Sequence, residues 1–93
     1  MSSEVIHDEK DKKFFINKDG KEARLKYKME DEQTINFTST FVPEEFRGEG
    51  IAQQLTEYAL NFARQKNYSV VATCPYISKF ISKHKEYQDM LAG

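Results

Sequence analysis

Residues suited to chemistry are concentrated in one short turn of this 93-residue chain, Arg47-Gly48-Glu49-Gly50-Ile51-Ala52. Its two glycines keep side-chain atoms away from the backbone, so N–H groups at the start of a following helix can approach an anion closely. The positive end of the helix dipole strengthens that attraction. The turn therefore predicts a site for a phosphate or diphosphate group, where Arg47 adds a positive charge.

Two familiar nucleotide-binding motifs do not fit this turn. A P-loop would need Gly-Lys followed by Ser or Thr, and a Rossmann fingerprint would need a third glycine where Gln53 stands. Glycine-containing turns between a strand and a helix also occur in many proteins that bind nothing there. The turn alone therefore leaves open both an anion site and a plain connection.

Cys74 is the second residue with chemical potential, because it immediately precedes Pro75 at the predicted start of a helix. A helix start can stabilise a thiolate, which is the nucleophilic form of cysteine. A Cys-His pair is not expected, since His84 lies ten residues later, about 15 Å along a straight helix. Three interpretations of Cys74 stay open: a nucleophile, an unreactive thiol lining a cleft, or a buried packing residue.

The elements ahead of the turn are predicted to be three strands, at residues 12–18, 23–29 and 34–42. Asp19-Gly20 predicts a tight hairpin between the first two. Apolar and polar residues alternate in the second and third strands, which is typical of a sheet with one wet face. The alternation of the third strand places Ile35, Phe37 and Phe41 on its core face. These strands predict a three-stranded antiparallel meander.

After the turn, the apolar period becomes helical from Gly50 to about Lys66. The core positions of this helix are predicted to be Ile51, Leu55, Tyr58, Ala59 and Phe62. Residues 68–73 read as a short buried strand, parallel to its neighbour, and Pro75 opens a second amphipathic helix. The predicted fold class is therefore α/β (α+β): an antiparallel three-stranded meander, a helix, a parallel strand and a helix.

Composition limits the remaining possibilities. Fourteen basic and fifteen acidic side chains nearly cancel, so neither nucleic acid nor an anionic membrane surface is an expected partner. The charged first 13 residues contradict a signal peptide, and one lone cysteine cannot build a disulfide framework, which together favour the cytoplasm. Two histidines and one cysteine, widely spaced, predict no metal site. We expect one domain over residues 1–93, a monomer or weak dimer, with a mobile leader at residues 1–11 in which His7 has no role.

The longer string Phe41-Val42-Pro43-Glu44-Glu45-Phe46-Arg47-Gly48-Glu49-Gly50-Ile51-Ala52 resembles the acetyl-CoA-binding segment of the GCN5-related N-acetyltransferase superfamily. The motif of that family is Gln/Arg-x-x-Gly-x-Gly/Ala, which is met here by Arg47, Gly50 and Ala52. Thr73-Cys74-Pro75-Tyr76-Ile77 is similar to small single-domain members, in which a strand ending in Cys leads into a short last helix.

The resemblance implies a V-shaped opening between the strands ending near Val42 and Cys74, in which the pantetheine arm of acetyl-CoA lies. It implies that the diphosphate binds the amides of residues 48–52. The cofactor-binding residues would be Phe41, Val42, Arg47, Gly48, Glu49, Gly50, Ile51, Ala52, Cys74 and Tyr76. It also makes Cys74 either a transient acetyl acceptor or a thiol lining the cleft. Many relatives carry a Tyr in the last helix as general acid, whereas Phe80-Ile81 stands here, so Tyr76 is the substitute.

The function implied is acetyl-CoA-dependent transfer of an acetyl group to an amine. Full-sized members insert two helices after the first strand and add strands after the last helix, and the sequence has room for neither. An open acceptor side favours a lysine or other amine on a protein or peptide over an enclosed small molecule. The alternative is a module that binds CoA or a protein with little or no catalytic turnover.

Overall fold

A computed structural model describes residues 4–92 of the chain. The strands are β1 (Ile6–Asp8), β2 (Lys13–Lys18), β3 (Lys21–Asp31), β4 (Thr34–Phe41) and β5 (Ser69–Ala72). The helices are α1 (Ile51–Gln65) and α2 (Pro75–Lys83), with short 3-10 helices at Glu44–Phe46 and Lys85–Met90. The predicted order of a meander, a helix, a strand and a helix is confirmed, and β1 is added in front of it.

The five strands form one sheet in the order β1-β2-β3-β4-β5. Neighbouring strands are antiparallel except β4 and β5, which are parallel because α1 connects them. The hairpin between β2 and β3 turns at Asp19 and Gly20, whose φ angles are 53° and 76°. Two consecutive positive φ angles are those of a type I′ hairpin, as the Asp-Gly pair predicts.

One face of the sheet carries the core. Residues paired across neighbouring strands point to the same face, and the buried ones are Phe14, Ile16, Ala23, Leu25, Tyr27, Ile35, Phe37 and Val70. The buried side chains of both helices join the same cluster. We call the opposite side of the sheet the open face. Its residues on the first four strands are Ile6, Asp8, Lys13, Phe15, Asn17, Glu22, Arg24, Lys26, Lys28, Asp31, Thr34, Asn36, Ser39 and Phe41.

The end of α1 is fixed by a Schellman motif. Asn67 has a φ of 60°, its N–H donates to the carbonyl of Arg64 over 3.1 Å, and the N–H of Tyr68 donates to the carbonyl of Ala63 over 2.9 Å. These bonds satisfy helix carbonyls that would otherwise lack a donor. The predicted end near Lys66 is confirmed, although the C-cap residue is Lys66 itself and Asn67, predicted as the cap, is the residue after it.

The predicted leader contains the strand β1, and the expectation that His7 has no role is wrong. Ile6–Asp8 pairs with β2, and His7 on the core face stacks on the ring of Phe14, with 4.2 Å between ring centroids. Nε2 of His7 lies 2.5 Å from the hydroxyl oxygen of Tyr27. His7 therefore has a structural role that the sequence did not reveal. Residues 1–3 of the predicted leader lie outside the described residues.

A β-bulge in β4 corrects the predicted face of Phe41. Lys26 pairs with Ser39 and Tyr27 pairs with Phe37, so Thr38 is an extra residue with no partner on β3. One inserted residue reverses the alternation of everything after it. Phe41 therefore lies on the open face, 49% exposed, whereas strict alternation places it in the core.

The predicted core position of Tyr58 is also wrong. The helical period places it in the core, yet it is 46% exposed. Its ring meets the ring of Phe14 edge-on, with 5.8 Å between centroids. Tyr58 thus contacts the core with one side of its ring only.

Candidate functional site

The parallel strands β4 and β5 separate at the end where the site was predicted. Their pairing ends at Phe37 and Ala72, and the N–H of Cys74 donates to the carbonyl of Phe37 over 2.9 Å. Beyond this point β4 continues to Phe41, paired with β3 alone. Backbone groups of residues 39–41 that point away from β3 consequently have no strand partner among the described residues. The structure thus has the predicted opening between the two strands.

The turn that follows β4 exposes the amides at the start of α1. Gly48 and Gly50 have φ angles of 87° and 74°, a region that favours glycine. Gly50 is the N-cap residue, and the first helical bond runs from the N–H of Gln54 to its carbonyl over 2.9 Å. No side chain caps this end. The N–H groups of residues 51–53 therefore have no acceptor within the helix, and they can bind an anion.

A single cavity of 390 Å³ joins the opening to this turn. Its lining residues are Thr40, Val42, Phe46, Arg47, Gly48, Gly50, Ile51, Ala52, Gln53 and Tyr76. The lining comes from the end of β4, the turn, the start of α1 and the start of α2. An extended ligand in this cavity would therefore meet unpaired strand groups at one end and helix amides at the other.

Two ion pairs tie the turn to the β2–β3 hairpin. Nζ of Lys18 donates to Oε1 of Glu49 over 2.5 Å, and Nζ of Lys21 donates to Glu45. The hydrogen bond with Lys21 lowers the pKa of Glu45, and the bond with Glu49 raises the pKa of Lys18. Arg47 has no ion pair within residues 4–92. Two acidic groups of the turn are therefore balanced, while the charge of Arg47 stays available to a ligand.

Cys74 lies at the inner end of the opening and is 4% exposed. Its Sγ lies 3.3 Å from Oγ1 of Thr40, which is on the core face of β4 and lines the cavity. The carbonyl of Cys74 accepts the first bond of α2, from Ser78 over 3.0 Å. The thiol is therefore separated from the cavity by the Thr40 side chain.

Tyr76 is the titratable hydroxyl nearest the opening, on the first turn of α2. It lines the cavity and is 39% exposed. Burial raises the pKa of its phenol, with a further contribution from the charge of Glu57. Tyr76 therefore keeps its proton at neutral pH. His84 does not reach this cavity, because its Nδ1 lies 2.8 Å from the carbonyl oxygen of Phe80 and its ring stacks on the Phe80 ring.

Most of the ten residues predicted for cofactor binding gather around this cavity. Phe41, Glu49 and Cys74 do not line it. The bulge turns the Phe41 side chain to the open face, Lys18 holds the carboxylate of Glu49, and the buried thiol of Cys74 contacts Thr40 instead. The sequence reasoning missed Thr40, Phe46 and Gln53. Phe46 carried a signal, because an apolar residue in an otherwise polar turn often packs inward, and it is 3% exposed.

Residues 4–92 contain no group of three His, Cys, Asp or Glu side chains placed to hold a metal ion. Over the same residues, no helix combines the length and the apolar character that crossing a membrane requires.

In this structure a glycine-containing turn begins a helix beside two parallel strands that separate. This arrangement is typical of an acetyltransferase-type α/β domain. Residues 13–90 match the sequence pattern of the family described as GCN5-related N-acetyl-transferase. The chain belongs to the GCN5-related N-acetyltransferase family.

Relatives and a solved structure agree with this assignment. Protein NATD1 of Danio rerio is 33% identical over 91 residues, which are 94% of this chain and 83% of the relative. Protein NATD1 of Homo sapiens is 30% identical over 82 residues, 86% of this chain and 73% of the relative. The NMR solution structure of a GCN5-like candidate N-acetyltransferase from Staphylococcus aureus superimposes with a TM-score of 0.78 at 29% identity, covering 100% of this chain and 92% of that one. The predicted fold class is confirmed.

Proposed function

We propose that this protein binds acetyl-CoA in the 390 Å³ cavity and transfers its acetyl group to an amine on a protein or peptide. One observation carries the proposal: the strand opening and the uncapped amides of α1 belong to the same cavity. A thioester cosubstrate with an amide-bearing arm and a diphosphate needs both features, at opposite ends of one groove.

The diphosphate would bind the N–H groups of residues 51–53, and Arg47 would supply the countercharge. The pantetheine arm would take the place of a strand beside residues 39–41, where its amides can pair with free backbone groups. Both interactions use main-chain atoms, so they depend on the bulge and on the two glycines more than on side-chain identity.

The transfer requires a neutral amine whose nitrogen attacks the thioester carbonyl carbon. A C–N bond forms, the C–S bond breaks, and the departing thiolate takes up a proton. Tyr76 is the proposed proton donor, because it lines the cavity and its phenol carries a proton at neutral pH. The amine donates its own proton to solvent, since no carboxylate or histidine among residues 4–92 lines this cavity.

Calorimetric titration with acetyl-CoA tests the site, and release of free CoA in the presence of a lysine-containing peptide tests turnover. We expect saturable binding and release that depends on the peptide. Binding without acceptor-dependent release would instead favour the alternative function, a CoA-binding module. Absence of binding would reject both functions.

Tyr76→Phe sharpens the kinetic part of this test. The variant keeps the ring that lines the cavity but removes the proposed proton donor, so kcat should fall by roughly 10²-fold while acetyl-CoA affinity is unchanged. The matched control is Tyr58→Phe, which removes an exposed hydroxyl of α1 outside the cavity and should leave both quantities unchanged.

A further inference from the structure

The open face of the sheet carries an ordered set of cations. Arg24, Lys26 and Lys28 occupy successive outward positions of β3, the central strand. Their β4 partners on this face are Phe41, Ser39 and Asn36, none of which is acidic. Outward positions along a strand repeat every ~6.6 Å. The backbone positions of these three residues therefore form a row that spans about 13 Å along β3.

The ion pairs of this row leave most of its charge available. Nη1 of Arg24 lies 3.9 Å from the Glu22 carboxylate, which is also bound by Lys13 over 2.9 Å. Nζ of Lys28 lies 3.7 Å from Glu30, whose carboxylate also accepts from Asn36 over 2.7 Å. Lys26 is exposed and has no ion pair within residues 4–92. Both ion pairs are long, and each carboxylate also binds a second group of the protein. A carboxylate of a partner can therefore compete for these cations.

The row leads to the proposed acetyl-transfer cavity. The guanidinium of Arg24 lies over the ring of Phe41, 4.8 Å from its centroid. Phe41 is followed by Val42, which lines the cavity. Since β4 and β5 no longer pair at this end, no strand within residues 4–92 closes the sheet between the open face and the cavity. A chain lying along β3 and β4 would therefore deliver its end to the site of transfer.

We propose that the acceptor is an extended acidic segment of a protein, whose Asp or Glu side chains lie over Arg24, Lys26 and Lys28 while its amine enters the cavity. This inference rests on the proposed function, because it names the substrate class of the same site. Alternate side chains of an extended chain have the spacing of the row, and the exposed Phe41 ring offers apolar contact at its end.

Two other occupants of this face are disfavoured by charge. A second copy related by a two-fold axis would bring the same three cations towards each other. A nucleic acid would need a wider basic surface, whereas Asp8, Glu22, Glu30 and Asp31 lie at the sides and the far end of the row and the whole chain has a formal net charge of −1.

The test uses two fluorescent peptides of equal length, each ending in lysine, with Asp or Asn at alternate positions. We expect the Asp peptide to bind the protein about tenfold more tightly than the Asn peptide by anisotropy at low salt, with the difference shrinking as salt rises. Lys26→Glu/Lys28→Glu should remove this preference. The control Lys66→Glu/Lys83→Glu makes the same change in net charge at the ends of α1 and α2, which pack on the other side of the sheet, and should keep the preference.

Kinetics separates this inference from the proposed function. The Lys26→Glu/Lys28→Glu variant should raise KM for the Asp peptide about tenfold with kcat and acetyl-CoA affinity unchanged. Equal binding of both peptides by a protein that turns over acetyl-CoA would overturn the acidic acceptor and leave the proposed function intact. Charge-dependent peptide binding without acetyl-CoA affinity would support the docking face and reject the acetyl transfer. Tighter binding of an oligouridylate, or a dimer that the double variant dissociates, would overturn the inference.

Discussion

Oγ1 of Thr40 lies 3.3 Å from Sγ of Cys74, across the opening between β4 and the start of α2. The bulge at Thr38 produces this contact, because it turns residue 40 to the core face, where its β3 partner is Leu25. The hydroxyl covers a thiol that is 4% exposed. Of the three roles kept open for Cys74, this geometry favours an unreactive, buried thiol at the inner end of the opening over a nucleophile.

The first prediction is that Cys74→Ser keeps acetyl transfer within about threefold of wild type. A nucleophile must reach the thioester carbon, and Thr40 separates the thiol from the cavity. Turnover is measured as CoA release, and intact mass at low pH should show no acetyl adduct on wild type. An adduct that disappears in Cys74→Ser together with turnover would establish a covalent intermediate. Thr40→Val keeps the shape of the side chain but removes the hydroxyl that contacts Cys74. It is therefore the matched control for losing that contact.

The second prediction concerns Gly50, which caps α1 with a φ of 74° and where an added Cβ would meet no other atom within 4 Å. Gly50→Glu should weaken acetyl-CoA binding by at least about tenfold relative to Gly50→Gln, because only the former puts a negative charge at the diphosphate amides. Both variants carry the same strain of roughly 1 kcal/mol for a side chain at positive φ. Equal affinities by calorimetry would show that the diphosphate does not bind this turn.

The third prediction is that Lys18→Met weakens acetyl-CoA binding about twofold at low salt, because it leaves the Glu49 carboxylate unbalanced near the diphosphate. Glu49→Gln in the same protein should restore the affinity. Calorimetry of the wild type, the two single variants and the double variant measures this coupling. A loss that persists in the double variant, or at high salt, would assign the effect of Lys18 to the shape of the turn instead.

The sequence was sufficient for the elements from β2 to α2 and for the glycine turn before α1, for local reasons. Asp19-Gly20 fixes the hairpin, Gly50 fixes the start of α1, and the change from period two to period 3.6 separates β4 from α1. Each of these signals acts within a few residues. The family resemblance then placed the opening beside the turn, and the structure has it there.

The parts that the sequence did not reveal depend on tertiary contacts. A β-bulge has no required residue type, so the extra residue at Thr38 and the reversal of Phe41 and Thr40 could not be read from alternation. The strand β1 is three residues long, too short for a periodic pattern, and pairing with β2 determines it. The alternation in the sequence indicated that the three cations of β3 share one face of the strand. It could not show whether another element packs on that face.

The fourth prediction is that Asn67→Ala lowers the free energy of unfolding by about 1 kcal/mol, while Asn67→Gly does not lower it. Asn67 has a φ of 60° in the Schellman motif, where alanine is strained and glycine is not. Urea denaturation measures the change. Asn61→Ala, on the exposed side of α1, is the control and should not destabilise the protein, since alanine favours helix. Equal effects at both positions would mean that the motif contributes nothing to stability.

The last prediction follows from His7, which is packed against Phe14 and Phe62 and bonded to the Tyr27 hydroxyl. Burial lowers the pKa of His7 below its ordinary value of 6.5, against the opposing charges of Glu9 and Asp8 and with a small contribution from Lys66. The unfolded chain therefore takes up the proton first. The stabilisation from neutral His7 is complete above pH 6.5 and is lost as the pH falls through the lower pKa of the folded state.

We expect the free energy of unfolding, from urea titrations at about pH 7.5 and about pH 5, to decrease on acidification by more in wild type than in His7→Gln. Carboxylates titrate in both proteins, so the difference between them isolates His7. Tyr27→Phe should lower stability at both pH values yet keep the pH dependence, because burial, the largest cause of the shift, remains. Equal acid sensitivity in wild type and His7→Gln would show that β1 does not hold His7 in the core.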